Sequence, residues 1–202
     1  GANQQSKFKE TDKADNQLSI YASTKKSTES LAHSYSSLWK IPTTVLRFFT
    51  VYGPWGRPDM AYFKFTKSII NNKSIDVYNN GKMYRDFTYI DDVTKSIELL
   101  INNAPNIKQK NKFKNDSLSN VAPYRVVNIG NQKKIYLKKF IQCIEKKLSK
   151  KGIKKYMKMQ KGDVKETLSN TILLQQITKF KPIVNYNKGI SNFVDWYKKF
   201  YK

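Results

Sequence analysis

Apolar residues follow two spacings along this chain. In several stretches they recur every three to four positions, and between those stretches they form short continuous runs rich in β-branched residues. The first spacing is typical of amphipathic helices and the second of buried strands. The pattern predicts helices near 20–39, 61–71, 91–101, 136–149, 171–180 and 188–201, and strands near 43–49, 74–78, 85–90 and 125–129.

The order of these elements indicates an α/β fold. A helix capped by Ser19 leads through a short loop to the strand at 43–49, and that strand ends in a loop rich in Gly and Pro. This order is typical of a doubly wound sheet, in which ligands bind beyond the carboxyl ends of the strands. We therefore expect the loop Thr50–Asp59 to lie beside a ligand.

The composition narrows the class of protein. Hydrophobic residues make up 39% of the 202 residues, which is enough for a sizeable core. The one cysteine, Cys143, excludes an internal disulfide framework and a cysteine-based zinc site, and we expect no metal. We find neither a signal-peptide pattern nor an apolar run of the roughly 18 residues that span a bilayer, so we expect a cytoplasmic protein with no membrane contact.

The net charge of +23 raises the alternative of a basic, non-catalytic module that binds nucleic acid or another polyanion. The lysines are scattered in pairs, and asparagine and isoleucine are also abundant, which favours a compositional bias spread over solvated faces. No helix-turn-helix, finger or RNA-binding signature accompanies the charge. We therefore expect no specific nucleic-acid partner.

Tyr21 and Lys25 are the first candidates for chemistry. Four positions apart on the predicted helix, they share one face. A neighbouring ammonium favours the tyrosinate and lowers the phenol's pKa from about 10, so that the phenol can exchange a proton with a sugar hydroxyl. The spacing alone is a weak signal, because a chain with 13 tyrosines and many lysines contains chance matches.

Two later stretches give that pair its context. They are Thr-Val-Tyr-Gly-Pro-Trp-Gly-Arg-Pro-Asp-Met at 50–60 and Arg-Asp-Phe-Thr-Tyr-Ile-Asp-Asp at 85–92. The ordered set resembles the extended short-chain dehydrogenase/reductase family, which includes the NAD-dependent epimerases and dehydratases. It is most similar to the UDP-glucuronate 4-epimerases. The resemblance covers nearly the whole chain and is weakest at 104–123 and after 163.

The resemblance implies NAD as the cofactor and assigns catalytic roles. Tyr21 would be the general base and acid on the sugar O4. Lys25 would bond the nicotinamide ribose and hold the charge state of the tyrosine. Phe49 would lie near the nicotinamide.

The resemblance also implies a UDP-sugar substrate. Thr50 and Arg57 would contact the carboxylate of a glucuronate, which a guanidinium can bind in bidentate fashion. Asp59 and Met60 match a segment that lies along the diphosphate.

The nucleotide end of the implied site uses other residues. Tyr78 matches the aromatic residue that packs on uracil, with an ordinary edge strand as the alternative. Arg85 matches a diphosphate-binding arginine, and Gln160 and Asp163 match the family's final nucleotide-binding stretch.

The resemblance divides the chain into two regions. Residues 1–58 would be the carboxy-terminal remnant of a Rossmann NAD-binding domain, and 59–202 a small mixed α/β substrate-binding region with a surface loop at 104–123. The chain contains no Gly-x-Gly-x-x-Gly turn for a dinucleotide pyrophosphate. We therefore expect an amino-terminal part to be missing and the chain alone to be inactive. A homodimer is possible in the intact protein.

The expected reaction of the intact protein is conversion of UDP-glucuronate to UDP-galacturonate through a 4-keto sugar. The alternative within the family is another nucleotide-sugar epimerase, a dehydratase or a decarboxylase. A dehydratase would need an Asp-Glu pair upstream of this chain.

Overall fold

A computed structural model describes residues 2–3, 7–109, 113–160 and 162–201. Gly1, residues 4–6, the centre of the predicted 104–123 loop (residues 110–112), Lys161 and Lys202 lie outside the described residues. The helices are α1 Ile20–Trp39, α2 Ala61–Ile70, α3 Ile90–Ile101, α4 Leu137–Leu148, α5 Ile172–Thr178 and α6 Tyr186–Phe200. The strands are β1 Thr43–Phe48, β2 Thr50–Tyr52, β3 Ser74–Val77, β4 Tyr84–Tyr89, β5 Tyr124–Ile129, β6 Lys134–Tyr136 and β7 Ile153–Tyr156.

The described strands form three small sheets. β1 pairs with β5, β2 with β4 and β3 with β7, all in parallel, and β6 adds an antiparallel strand to β4. Helices connect most of the parallel strands, as crossover connections require. The predicted α/β class with parallel strands is confirmed.

Of the three apolar clusters among the described residues, the two larger hold helices α2 to α6 to the strands. The larger lies between β2, β4 and helices α2, α4 and α6, and it centres on Tyr52, Phe87, Phe140 and Phe193, none of which is more than 5% exposed. The smaller joins β5 to α3 and α5. The larger cluster fixes β2 and β4, the two strands whose first residues lie beside the candidate site.

Helix α1 has the predicted bounds but packs less than expected. The Ala22 N–H donates to the Ser19 Oγ, so the predicted cap is confirmed. The predicted apolar stripe is exposed, with Leu31 at 62%, Tyr35 at 58% and Leu38 at 71%. This part of the structure leaves the stripe uncovered.

The first turn of α3 carries two carboxylates. Asp91 and Asp92 lie in the first turn, and the cap residue is Tyr89, which makes no side-chain capping bond. The Asp92 Oδ2 instead accepts a hydrogen bond of 2.9 Å from the Val184 N–H. This hydrogen bond links α3 to the segment before α6. A buried carboxylate needs such a donor because water does not solvate it.

The predicted 104–123 loop is anchored at its carboxyl end. Asp116 forms a bidentate ion pair with Arg125, whose side chain is 1% exposed. Ser119 lies 2.8 Å from His33 of α1, Oγ to Nε2, so this contact joins the loop to α1. Among the described residues, no helix has the length and apolar character needed to cross a membrane.

Candidate functional site

A cavity of about 690 Å³ lies between α2, β3, β4 and the residues Gln160 and Asp163. Its lining includes most of the residues for which the sequence predicts a nucleotide-sugar role. They are Thr50, Asp59, Met60, Tyr78, Arg85, Gln160 and Asp163. The structure thus gathers residues that are spread over more than a hundred positions of the sequence.

Secondary structure explains how these side chains converge. Thr50 begins β2 and is the register partner of Phe87 in β4, which places it beside the strand that carries Arg85. Met60 is the residue before α2, and Tyr78 follows β3 directly. The cavity therefore lies beside the start of β2 and β4, the residue after β3 and the residue before α2.

Arg85 and Asp163 form an ion pair within the lining. The Arg85 Nη2 donates to the Asp163 Oδ1 over 2.8 Å, and its Nη1 donates to the carbonyl oxygen of Tyr84 over 2.9 Å. The side chains are 16% and 33% exposed. Burial lowers the pKa of the Arg85 guanidinium, and the Asp163 carboxylate opposes that shift. The arginine is thus held in a fixed orientation at the cavity wall.

Asp86 supports the site, although no sequence motif pointed to a role for it. It is fully buried, and its carboxylate accepts hydrogen bonds from the backbone N–H groups of Asn131, Gln132 and Ser169 and from the Ser169 hydroxyl. These bonds attach the 163–170 segment to β4 and so help to place Asp163 opposite Arg85. The available signal was an aspartate within a predicted strand, because an aspartate buried in a sheet needs its carboxylate to be hydrogen-bonded.

Arg57 lies outside the cavity lining and pairs with Asp59, which lies within it. The Arg57 Nε donates to the Asp59 Oδ1 over 3.0 Å and Nη2 donates to Oδ2 over 2.6 Å. Both side chains are exposed, at 75% and 58%. The hydrogen bonds from Arg57 lower the pKa of the Asp59 carboxyl. A guanidinium at this place could bind an acidic sugar at the mouth of the cavity.

Tyr21 and Lys25 border a different cavity, of about 530 Å³, between α1 and β1. The Lys25 Nζ lies 5.4 Å from the centre of the Tyr21 ring, so the two side chains share one face as predicted. Tyr21 is 70% exposed. Phe49 lines a third, smaller cavity, where its ring contacts Phe8. The described residues therefore place the pair and Phe49 outside the 690 Å³ cavity.

The residues present fit only one end of a dinucleotide. A phenol and an ammonium on an open face can hold a ribose and exchange a proton near it. A pyrophosphate needs a turn of backbone N–H groups, and the 202 residues contain no glycine-rich turn of that kind. Among the described residues, no cluster of His, Cys, Asp and Glu could hold a metal ion.

The sequence and the fold both have known relatives. Residues 1–130 match the family described as NAD dependent epimerase/dehydratase. Protein CapI of Staphylococcus aureus is 51% identical over 204 residues, an alignment that covers 100% of this chain and 61% of the relative. The probable UDP-glucuronate 4-epimerase of Rhizobium meliloti is 47% identical, with 100% and 60% covered.

Solved structures agree with the sequence matches. UDP-glucuronic acid 4-epimerase from Bacillus cereus, in complex with UDP-glucuronic acid and NAD, aligns with a TM-score of 0.76 at 30% identity, covering 96% of this chain and 59% of that one. A mutant of the same enzyme aligns with a TM-score of 0.82 at 28% identity, with 98% and 58% covered. The chain thus spans about three fifths of the length of the Staphylococcus and Rhizobium relatives.

Proposed function

The chain belongs to the NAD dependent epimerase/dehydratase family, and from that premise we propose that the whole protein is a UDP-glucuronate 4-epimerase. The observation that carries the proposal is the 690 Å³ cavity, whose lining joins Thr50, Arg85 and Asp163 and whose mouth holds Arg57. Arg85 would bind the diphosphate. Thr50 and Arg57 would bind the sugar carboxylate, which a neutral hexose lacks.

The nucleotide would lie along the rest of the cavity. Tyr78 would pack on the uracil, and Gln160 and Asp163 would hold the nucleoside. Asp59 and Met60 would flank the diphosphate and sugar at the start of α2. Each assignment agrees with the position of the residue in the cavity lining.

Tyr21 and Lys25 would carry the proton transfer. The phenol would remove and return the proton of the sugar O4, and the ammonium beside it would favour the ionised phenol. NAD, when bound, supplies a reversible hydride acceptor. Lys25 would also bond the nicotinamide ribose, and Phe49 would lie near the ring. This assignment requires the sugar to extend from the 690 Å³ cavity toward α1.

The reaction product tests the proposal and separates it from its rivals within the family. The whole protein is incubated with NAD and, in separate reactions, with UDP-glucuronate, UDP-glucose or UDP-N-acetylglucosamine, and the products are separated and identified by nuclear magnetic resonance. We expect UDP-galacturonate. A UDP-pentose formed from UDP-glucuronate would indicate a decarboxylase. Conversion of UDP-glucose or UDP-N-acetylglucosamine, with UDP-glucuronate left unreacted, would indicate another epimerase or a dehydratase.

We further propose two regions, a boundary near residue 58, and a homodimer of the whole protein through α1. The exposed stripe of Leu31, Tyr35 and Leu38 supports the dimer. We expect the reaction in the cytoplasm, where the free thiol of Cys143 stays reduced.

A further inference from the structure

Arg57 and Asp59 pair across a single intervening residue. The turn that holds them closes through the Met60 N–H, which donates to the Arg57 carbonyl oxygen over 3.1 Å. The pair uses the Nε–Nη2 edge of the guanidinium, with both aspartate oxygens engaged. This is the same fork geometry by which an arginine binds the carboxylate of a ligand.

Asp59 lines the cavity and occupies one edge of the Arg57 guanidinium. Asp59 belongs to the lining of the 690 Å³ cavity and Arg57 does not. A carboxylate that approaches Arg57 from the cavity must therefore replace Asp59 on the Nε–Nη2 edge or bind the other edge beside a second negative charge. In both cases Asp59 opposes its binding, by competition or by repulsion.

We propose that Asp59 is a specificity-determining residue, an internal carboxylate that competes with the carboxylate of a uronic acid for Arg57. The inference rests on the proposed function and adds to it. Asp59 keeps Arg57 paired when the sugar is neutral or the site is empty. It also weakens the binding of substrate and product, because the carboxylate of each must compete with Asp59 for Arg57.

This role differs from a contact to the diphosphate. If Asp59 acts on Arg57, its removal changes the binding of acidic sugars and leaves UDP itself unaffected. If Asp59 only adds negative charge near the nucleotide, its removal strengthens the binding of every UDP ligand. A comparison among ligands therefore separates the two roles.

The test is calorimetric titration of the whole protein and two variants with UDP, UDP-glucose and UDP-glucuronate. Asp59→Asn keeps the shape of the side chain and removes its charge, and the position is exposed enough for the fold to tolerate the change. Asp76→Asn is the matched control. Asp76 lines the same cavity, and among the described residues it forms no ion pair.

We expect Asp59→Asn to tighten the binding of UDP-glucuronate about two- to fivefold, the range typical of an exposed ion pair, with UDP and UDP-glucose unchanged. Asp76→Asn should affect all three ligands equally. The inference is overturned if Asp59→Asn leaves the ratio of UDP-glucuronate to UDP-glucose affinity unchanged, or lowers it. A wild-type protein that does not prefer UDP-glucuronate to UDP-glucose would overturn the proposed function itself, so the two failures are distinguishable.

Discussion

At the residue scale, we propose that two arginines with different surroundings bind different parts of an acidic nucleotide sugar. Arg85 is largely buried at the cavity wall and is fixed by Asp163 and by backbone carbonyl oxygens. Arg57 is exposed at the cavity mouth and has one exposed partner. Arg85 is suited to an anion that stays in one place, such as a diphosphate. Arg57 is suited to the carboxylate of a sugar that binds, changes configuration and leaves.

Replacing each arginine by lysine separates these roles. Lysine retains the charge but loses the planar fork. We expect Arg85→Lys to weaken the binding of UDP to the whole protein about tenfold, which corresponds to the loss of one charge-assisted hydrogen bond. Arg57→Lys should leave UDP affinity within about twofold, because UDP has no sugar carboxylate. Equal losses in the two variants, measured by calorimetry, would contradict the assignment.

Tyr21 is the residue on which the proposed chemistry depends. Tyr21→Phe removes the only group assigned to proton transfer, so we expect the epimerase rate of the whole protein to fall by about 10²- to 10⁴-fold. Binding of UDP-glucuronate should stay nearly constant. Tyr35→Phe is the control, since Tyr35 is on the same helix and its ring contacts Trp39. A Tyr21→Phe protein that keeps most of its initial rate would exclude Tyr21 as the acid and base.

At the scale of elements, the contact between α6 and β2 supports the site from behind. Gly189 in α6 is buried against Tyr52, and a Cβ built there would lie 2.2 Å from the Tyr52 hydroxyl oxygen. Tyr52 is 1% exposed and is surrounded by aromatic rings, so it has little room to move. The glycine is therefore required for the close approach of helix and strand.

Gly189→Ala tests this contact. Alanine normally stabilises a helix by up to about 1 kcal/mol relative to glycine. Here we expect overpacking to dominate and to lower the free energy of unfolding by about 1–3 kcal/mol. The measurement is urea unfolding of the whole protein, with Lys188→Ala as the exposed control on the same helix. A stabilised Gly189→Ala protein would show that Tyr52 can move aside.

The elements that sequence predicted best are those with local causes. Ser19 and the spacing of polar and apolar residues after it predict α1, and the predicted start and end of the helix agree with the structure. The strands β2, β6 and β7 were not predicted, because they are short, and β2 lies at the start of the predicted Thr50–Asp59 loop. β6 and β7 also carry lysines, and β7 forms only by pairing with the distant β3. Pairing over such a separation depends on tertiary packing, which no local pattern records.

The sequence predicted which residues belong to the site but not how their side chains are arranged. The family motifs indicated the residues that line the 690 Å³ cavity. They did not indicate that Arg57 pairs with Asp59 or Arg85 with Asp163, because ion pairing depends on side-chain geometry. They also did not indicate Asp86, whose role follows from backbone donors of separate segments.

At the scale of the whole molecule, the exposed apolar surface of α1 is the main feature that the described fold leaves without a function. Leu31 and Leu38 are each more than 60% exposed and lie on one side of the helix. A contiguous apolar stripe of this kind is typical of an interface. It is the surface through which we propose that the whole protein dimerises.

The double variant Leu31→Glu/Leu38→Glu tests the dimer. Charges on the stripe must be desolvated in an interface, so we expect the sedimentation coefficient of the whole protein to shift to that of a monomer. Ile183→Glu is the control, because Ile183 is 74% exposed and lies outside α1. A double variant that sediments as the wild type does would place the interface elsewhere.

We propose that the whole protein acts on an acidic UDP-sugar. The most direct test of this proposal is the ratio of kcat/KM for UDP-glucuronate to kcat/KM for UDP-glucose, measured side by side on the purified whole protein. A neutral sugar would leave Thr50 and Arg57 without a carboxylate partner. We therefore predict a ratio above about tenfold in favour of UDP-glucuronate. A ratio at or below one would contradict it.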